Sequence, residues 1–95
     1  MDKVIVITGG SRGIGAATAQ LAAAQGYRIC INYQSDEEAA HRVLDQVRAL
    51  GAEAIAVRAD VSIEDEVIAL FSRVDAELGR VTALVNNAGT VGQKS

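Results

Sequence analysis

Short runs of apolar residues alternate with longer segments of helical periodicity along this chain. The first run, Val4-Ile5-Val6-Ile7, contains no polar position. An uninterrupted apolar run of this kind is typical of a parallel β-strand that is covered on both faces. Three further apolar stretches, interrupted by single polar residues, follow, and the predicted strands span residues 3–8, 27–33, 53–59 and 81–86.

The segments between these runs predict three helices. The first covers residues 13–25 and is rich in alanine. The second begins at Ser35, where Glu38 completes a capping box, and the third begins at Ser62, with Asp65 in the same relative position. Each helix is followed by a glycine suited to a C-terminal cap: Gly26, Gly51 and Gly79.

The order β-α-β-α-β-α-β restricts the fold class. Strands that alternate with helices of this length form right-handed crossovers and a parallel sheet covered on both faces. We therefore predict an α/β fold, a Rossmann-type doubly wound parallel sheet with strand order 3-2-1-4, over residues 1–95. As the final strand, residues 81–86 would leave an apolar edge uncovered, so we expect the chain to be a truncated part of a longer protein.

Composition excludes several classes of function. Of the 95 residues 49% are hydrophobic, which favours a folded core, and the net charge of −3 provides no basic patch for nucleic acid. No apolar run reaches the roughly 20 residues of a membrane span. With no secretory signal at its N-terminus, the chain is expected to be cytoplasmic. One histidine and one cysteine cannot build a metal site, and Cys30, inside an apolar run, predicts a buried inert thiol.

The candidate chemistry lies in the glycine-rich stretch TGGSRGIG, which joins the first strand to the first helix. Gly9 allows a sharp turn of the chain. Gly13 and Gly15 lack a Cβ, so a diphosphate can approach the amides of the helix N-terminus. The missing side chains also allow the helix to approach the strand closely. The spacing G-x-x-x-G-x-G is neither the G-x-G-x-x-G fingerprint nor a P-loop. A tight turn that binds no ligand is the alternative interpretation.

Two further features of the sequence concern the choice of ligand. Arg12 lies near a helix N-terminus, where the macrodipole repels a cation unless an anion is close by. A solvated arginine is the alternative. Dinucleotide-binding folds that prefer NAD carry an acid at the end of the second strand, whereas here residues 32–35 read Asn-Tyr-Gln-Ser and the first carboxylate is Asp36. This pattern favours NADP over NAD.

Three motifs occur in order along the chain: Thr8-Gly9-x-x-x-Gly13-Ile14-Gly15, then Ala59-Asp60-Val61, then Asn86-Asn87-Ala88-Gly89. Together they resemble the short-chain dehydrogenase/reductase family, and within it the 3-oxoacyl-carrier-protein reductase and glucose dehydrogenase type. The resemblance spans the whole chain. It implies the cofactor-binding half of an NAD(P)-dependent oxidoreductase that acts on CH–OH groups.

The resemblance also implies roles for matching positions. The glycine stretch would wrap the cofactor phosphates through Gly9, Ser11, Arg12, Gly13, Ile14 and Gly15. The adenosine ribose would be lined by Asn32, Tyr33, Gln34 and Ser35. Asp60 would accept from the adenine amino group, with Val61 against the ring, although Asp60 could also be a plain polar strand end.

The fourth strand and its loop complete the implied site. The cofactor ribose and nicotinamide would be flanked by Asn87, Ala88 and Gly89. Turn chemistry alone is the alternative for Asn86-Asn87. Thr8 and Asn86 are expected to tie the first and fourth strands together.

The catalytic residues of the resembled family are absent from these 95 residues. Its members use a Ser and a Tyr-x-x-x-Lys, whereas here Ile31 follows Tyr27 and Glu37 follows Tyr33 at the lysine position. We therefore predict no catalytic residue in this segment, which would be inactive alone. The parent would transfer hydride between nicotinamide and a carbonyl or alcohol substrate, and is expected to be a homo-oligomer.

Two other function classes remain open on the sequence. A non-catalytic nucleotide-binding module, or a truncated pseudo-enzyme, would also lack Tyr-x-x-x-Lys. A flavodoxin-like or response-regulator domain would require an acidic cluster after the first strand, and TGGSRGIG supplies none.

Overall fold

The structure is a computed structural model and describes residues 3–11 and 13–87. Within these residues, four parallel strands form one sheet in the order β3-β2-β1-β4. This confirms the predicted fold class and strand order. The elements are β1 Val4–Thr8, α1 Gly13–Ala24, β2 Arg28–Tyr33, α2 Glu37–Ala49, β3 Ala54–Arg58, α3 Glu64–Glu77 and β4 Ala83–Asn86.

β1 is central in the sheet, and helices cover both of its faces. Ile5 and Ile7 belong to a hydrophobic cluster with α1 and α2, whereas Val4 and Val6 belong to a second cluster with α3. Successive strand residues point to opposite faces, so two covering layers require apolar residues at every position. The uninterrupted apolar run of β1 is therefore explained by the burial of both faces of this strand. β4 lies at one edge of the sheet, and Leu84 on it is 54% exposed.

The N-terminus of α2 differs from the prediction. The cap is Asp36, whose carboxylate accepts a hydrogen bond of 3.0 Å from the Ala39 backbone N–H. The predicted cap at Ser35 is therefore wrong by one residue. Asp and Ser are both good caps, and the local pattern did not separate two adjacent candidates.

The N-terminus of α3 also departs from the predicted capping box. Ile63 occupies the cap position and makes no side-chain cap hydrogen bond. The Ser62 hydroxyl instead donates to the Asp60 carboxylate over 2.6 Å. The predicted capping box of Ser62 and Asp65 is wrong, because the helix begins one residue later than predicted and its cap position is Ile63, whose side chain has no acceptor.

Cys30 lies in β2 and is fully buried, as the sequence predicts. Burial raises the pKa of its thiol from 9.0 to about 12. Only the thiolate is nucleophilic, so the folded thiol is chemically inert at neutral pH.

None of the described helices is long and apolar enough to span a bilayer.

We predict that Cys30 in the folded chain reacts with iodoacetamide far more slowly than in concentrated guanidinium chloride at the same pH. Since the folded pKa lies above the unfolded one, the folded state is also expected to lose stability as the pH rises from 9.0 towards about 12. Mass spectrometry of the alkylated chain measures the first effect, and denaturant titration at each pH the second. Equal alkylation rates in the folded and unfolded chain would contradict the assignment.

Candidate functional site

The candidate residues lie close together at the carboxyl ends of the parallel strands. The loops after β1, β2, β3 and β4 all begin here. The chain crosses from one side of β1 to the other, since β2 lies on one side and β4 on the other. In open α/β sheets, a crevice that binds ligands forms at such a switch point.

The turn after β1 depends on glycine backbone conformations. Gly9 and Gly13 have φ values of 64° and 59°, in the left-handed region that disfavours other residues. The Gly10 N–H donates to the Asn32 carbonyl over 3.0 Å, which ties the turn to β2. A Cβ built on Gly13 meets no atom within 4 Å. The space beside the Gly13 Cα at the start of α1 is therefore not filled by any described residue.

Gly15 is needed for a different reason. It is buried in the first turn of α1, and a Cβ there would collide with the Gly9 carbonyl oxygen and lie 2.9 Å from the Gly10 Cα. The absent side chain lets the helix approach the preceding turn. The side chain of Ile14, between the two helical glycines, is 76% exposed, while Ser11 is half-buried.

The first turn of α1 contains no acidic residue. The amides at a helix N-terminus lack partners within the helix and carry a partial positive charge. An acidic side chain in that turn would compete with a bound anion for these amides, and here none is present. The N-terminus of α1 is thus suited to binding a phosphate group.

Polar side chains fix the crevice between β1 and β4. The Thr8 hydroxyl donates to the Asn86 side-chain oxygen over 3.1 Å, which confirms that these two residues tie the strands together. The Asn87 side-chain amide donates to the Gly9 carbonyl over 3.1 Å. The loop after β4 is thereby attached to the glycine turn.

Asn32, at the end of β2, has a structural role. Its side chain is buried, and the amide nitrogen donates to the carbonyls of Val57 and Ala59 over 3.3 and 3.1 Å. It links β2 to β3, and its assignment to the adenosine ribose stays a prediction from the family resemblance. Tyr33 is also largely buried and belongs to the cluster beneath α1 and α2.

Gln34 and Ser35 follow β2 and are exposed. The Gln34 amide donates to the Asp60 carboxylate over 3.3 Å, so the ends of β2 and β3 are linked at the surface. The first carboxylate after β2 belongs to Asp36, which caps α2. Residues 32–35 thus place no acid at the end of β2.

The loop after β3 centres on Asp60. Its carboxylate accepts from the Ser62 backbone N–H over 3.0 Å and from the Ser62 hydroxyl over 2.6 Å. These bonds lower the pKa of Asp60, and the positive charge of Arg58 lowers it further. Asp60 is therefore an ionised acceptor at neutral pH.

Glu66 holds the same loop from α3 and was missed by the sequence analysis. Its carboxylate accepts from the Asp60 backbone N–H over 2.7 Å. The two residues are six positions apart, which matches no standard capping pattern, so the sequence carried no signal for this contact. It fixes the peptide that orients Asp60.

A cleft of about 530 Å³ opens beside Asp60, between α3 and the ends of β1 and β4. Apolar side chains form most of its lining, together with a few polar groups, a combination typical of sites for small organic ligands. The lining residues include Thr8, Gln34, Asp60, Val61, Leu70 and Phe71.

The structure thus brings together the glycine turn, Gln34, Asp60, Val61 and Asn87 at the carboxyl edge of the sheet. It places the side chains of Asn32 and Tyr33 in the interior. Three other candidates lie outside the described residues: Arg12, Ala88 and Gly89.

Comparison with known proteins identifies relatives across nearly the whole chain. The family model for short chain dehydrogenase matches residues 3–95. An uncharacterized oxidoreductase of Escherichia coli K12 is 44% identical over 86 residues, which cover 90% of this chain and 35% of the relative. A 3-oxoacyl-[acyl-carrier-protein] reductase of Staphylococcus aureus is 39% identical over 89 residues, covering 94% of this chain and 36% of the relative.

A solved structure gives the same result. A metagenomic short-chain oxidoreductase in complex with NADP superimposes with a TM-score of 0.82 and 39% identity, over 90% of this chain and 38% of that one. The chain therefore spans little more than a third of the length of these proteins.

Proposed function

The chain belongs to the short-chain dehydrogenase family, and we propose that it binds NADP(H) for an oxidoreductase that transfers hydride between nicotinamide and a carbonyl or alcohol substrate. The observation that carries the proposal is the turn from β1 to α1. Gly9 precedes α1 and Gly13 begins it, both with a left-handed backbone, and the first turn of this helix has no acidic residue, at the switch point of the sheet.

The cofactor diphosphate would occupy the N-terminus of α1. The open space at Gly13 admits a ligand close to the backbone, and the free amides of the first turn would donate to its oxygens. Ser11, Arg12 and Ile14 would flank it. This arrangement binds and orients the cofactor, while the nicotinamide supplies the hydride chemistry.

The adenine would lie at the cleft beside β3. Asp60, ionised and held by Ser62 and Glu66, is an acceptor suited to an amino group, and Val61 lines the cleft with it. Gln34 and Ser35, exposed after β2, would flank the adenosine ribose. Asn87, fixed on the Gly9 carbonyl, would lie on the nicotinamide side, with Ala88 and Gly89 following it in the chain.

The absence of an acid at residues 32–35 supports NADP over NAD. An aspartate or glutamate there would bind the ribose hydroxyls of NAD and repel a 2′-phosphate. Arg12, in the glycine turn, would contribute a positive charge for this phosphate. The similar metagenomic oxidoreductase was solved with NADP bound.

We predict that Arg12→Ala weakens NADPH binding about tenfold, because a charge-assisted contact with phosphate is lost, and leaves NADH binding unchanged. Isothermal titration calorimetry of both variants with both cofactors measures the effect. Arg80→Ala is the matched control, since Arg80 is an exposed arginine preceding β4, on the opposite edge of the sheet.

An equal loss for the two cofactors in Arg12→Ala would remove Arg12 from the 2′-phosphate site. If the unaltered chain bound neither cofactor, the proposed function itself would fail. If it bound adenine nucleotides with no preference for a dinucleotide, the result would favour a non-catalytic nucleotide-binding module.

A further inference from the structure

Arg58 is the last residue of β3, at the same carboxyl end of the sheet as the glycine turn. It is exposed, and its Cα pairs with that of Tyr33 in the register of β2 and β3. Tyr33 stands where dinucleotide-binding folds place the residue that contacts the adenosine ribose. The strand next to that position therefore ends in a cation.

The alternation of side chains places Arg58 on the same face of the sheet as Tyr33. Ala54 and Ala56 pack in the cluster that contains Tyr33, whereas Ile55 and Val57 pack in the cluster of α3. Since alternate strand residues share a face, the side chain of Arg58 points to the same face of the sheet as those of Ala54 and Ala56. Neighbouring strands are about 4.8 Å apart, so the long side chain of Arg58 begins directly beside Tyr33.

The guanidinium of Arg58 makes no hydrogen bond or ion pair with another described residue. Three other described arginines are engaged: Arg28 with Glu53, Arg48 with the Ala54 carbonyl, and Arg73 with Glu77. The carboxylate beside Arg58, that of Asp60, is already bonded to Ser62 and Gln34. Arg58 is thus an exposed cation at the carboxyl end of β3, and its charge acts on Asp60 without a direct ion pair.

We propose that Arg58 binds the 2′-phosphate of NADP(H) and is, with Arg12, a determinant of the preference for NADP(H) over NAD(H). The inference rests on the proposed function. A guanidinium matches a phosphate group by paired N–H donors, which gives geometric specificity that a neutral ribose hydroxyl does not require. The cation also occupies the neighbourhood in which NAD-binding folds carry an acid.

The test is calorimetric titration of Arg58→Gln with NADPH and NADH. The expected result is about tenfold weaker binding of NADPH, with NADH affinity changed less than about twofold. Arg42→Gln is the matched control, since Arg42 is an exposed arginine on α2, and both affinities are expected to stay unchanged. Arg58→Lys keeps the charge and is expected to retain a preference for NADPH, at reduced strength.

Competition with two fragments localises the effect. Adenosine 2′,5′-bisphosphate and AMP differ in the 2′-phosphate, so Arg58→Gln is expected to weaken the first and spare the second. Circular dichroism of each variant verifies that it folds. If Arg58→Gln does not fold, the binding of these two ligands to Arg58→Lys gives the decisive comparison.

The outcomes separate the inference from the function on which it rests. If the unaltered chain prefers NADPH and Arg58→Gln keeps that preference in full, the role of Arg58 is overturned while the proposed function stands. Equal weakening of NADPH and NADH also overturns it, because the residue would then act on a shared part of the cofactor. If the unaltered chain binds neither cofactor, both proposals fail.

Discussion

Replacing Gly15 with alanine is expected to destabilise the chain by about 3 kcal/mol and to abolish NADP(H) binding. The new Cβ would collide with the carbonyl oxygen of Gly9 and lie 2.9 Å from the Gly10 Cα. Both contacts are with backbone, which cannot rotate away as a flexible side chain would. The turn or the helix must shift, and the amides that would bind the diphosphate shift with it.

Gly51→Ala is the control for this substitution. Gly51 has a φ of 93°, and a Cβ there meets no atom within 4 Å. The control therefore measures the cost of a left-handed backbone without a collision, about 1–2 kcal/mol, and is expected to keep its NADPH affinity. Denaturant unfolding and calorimetric titration of both variants make the comparison. If Gly15→Ala is no less stable than Gly51→Ala, the close approach of α1 to the turn is not as tight as described.

Asn32→Asp is expected to cost about 3–5 kcal/mol of stability at neutral pH, the range for an uncompensated buried charge. The amide of Asn32 donates to two β3 carbonyls, and an ionised carboxylate has no proton to donate. It would instead face the oxygens of Val57 and Ala59 in the interior. β2 and β3 would lose the side-chain link between their carboxyl ends.

The pH dependence of Asn32→Asp follows from the same contacts. Burial and the two carbonyl oxygens favour the protonated acid, so the pKa of the introduced carboxyl is raised in the folded state. A raised pKa gives stability that is present at low pH and is lost as the pH rises through the folded pKa. The deficit relative to the unaltered chain is therefore expected to shrink on acidification, which urea unfolding at several pH values measures.

Gln46→Glu makes the same amide-to-carboxylate change at an exposed position. The Gln46 oxygen accepts from Gln20 over 2.8 Å, and a carboxylate can still accept this bond, so little loss of stability is expected. If Asn32→Asp folded as stably as this control but lost NADP(H) affinity, Asn32 would line the cofactor site after all.

The elements were predictable because each is coded by neighbouring residues. β1 is a run of apolar side chains, and α2 presents apolar residues at helical spacing between a cap and a terminal glycine. The caps of α2 and α3 were each wrong by one residue, because Asp36 caps α2 in place of Ser35 and Ile63 occupies the cap position of α3 in place of Ser62. Such competition depends on detailed geometry that residue spacing does not resolve.

The candidate site was predictable in part. The glycine turn and the absence of an acid after β2 are local features and were read from the chain. The family resemblance assigned Asn32 to the adenosine ribose, whereas its hydrogen-bond partners in the structure, Val57 and Ala59, lie 25 and 27 positions later and could not be read from local sequence. The contact of Glu66 with Asp60 and the position of Arg58 beside Tyr33 depend in the same way on how α3 and β3 pack.

The sequence by itself determined the order of the elements, the parallel sheet and the place of the nucleotide-binding turn, since periodicity and glycine spacing act over a few residues. Only the tertiary structure decided which glycine serves packing and which faces open space, and which polar side chains lie at the crevice. The bond between Thr8 and Asn86 spans 78 positions of the chain. Contacts of that length arise when strands align in register, and no local pattern specifies the register in advance.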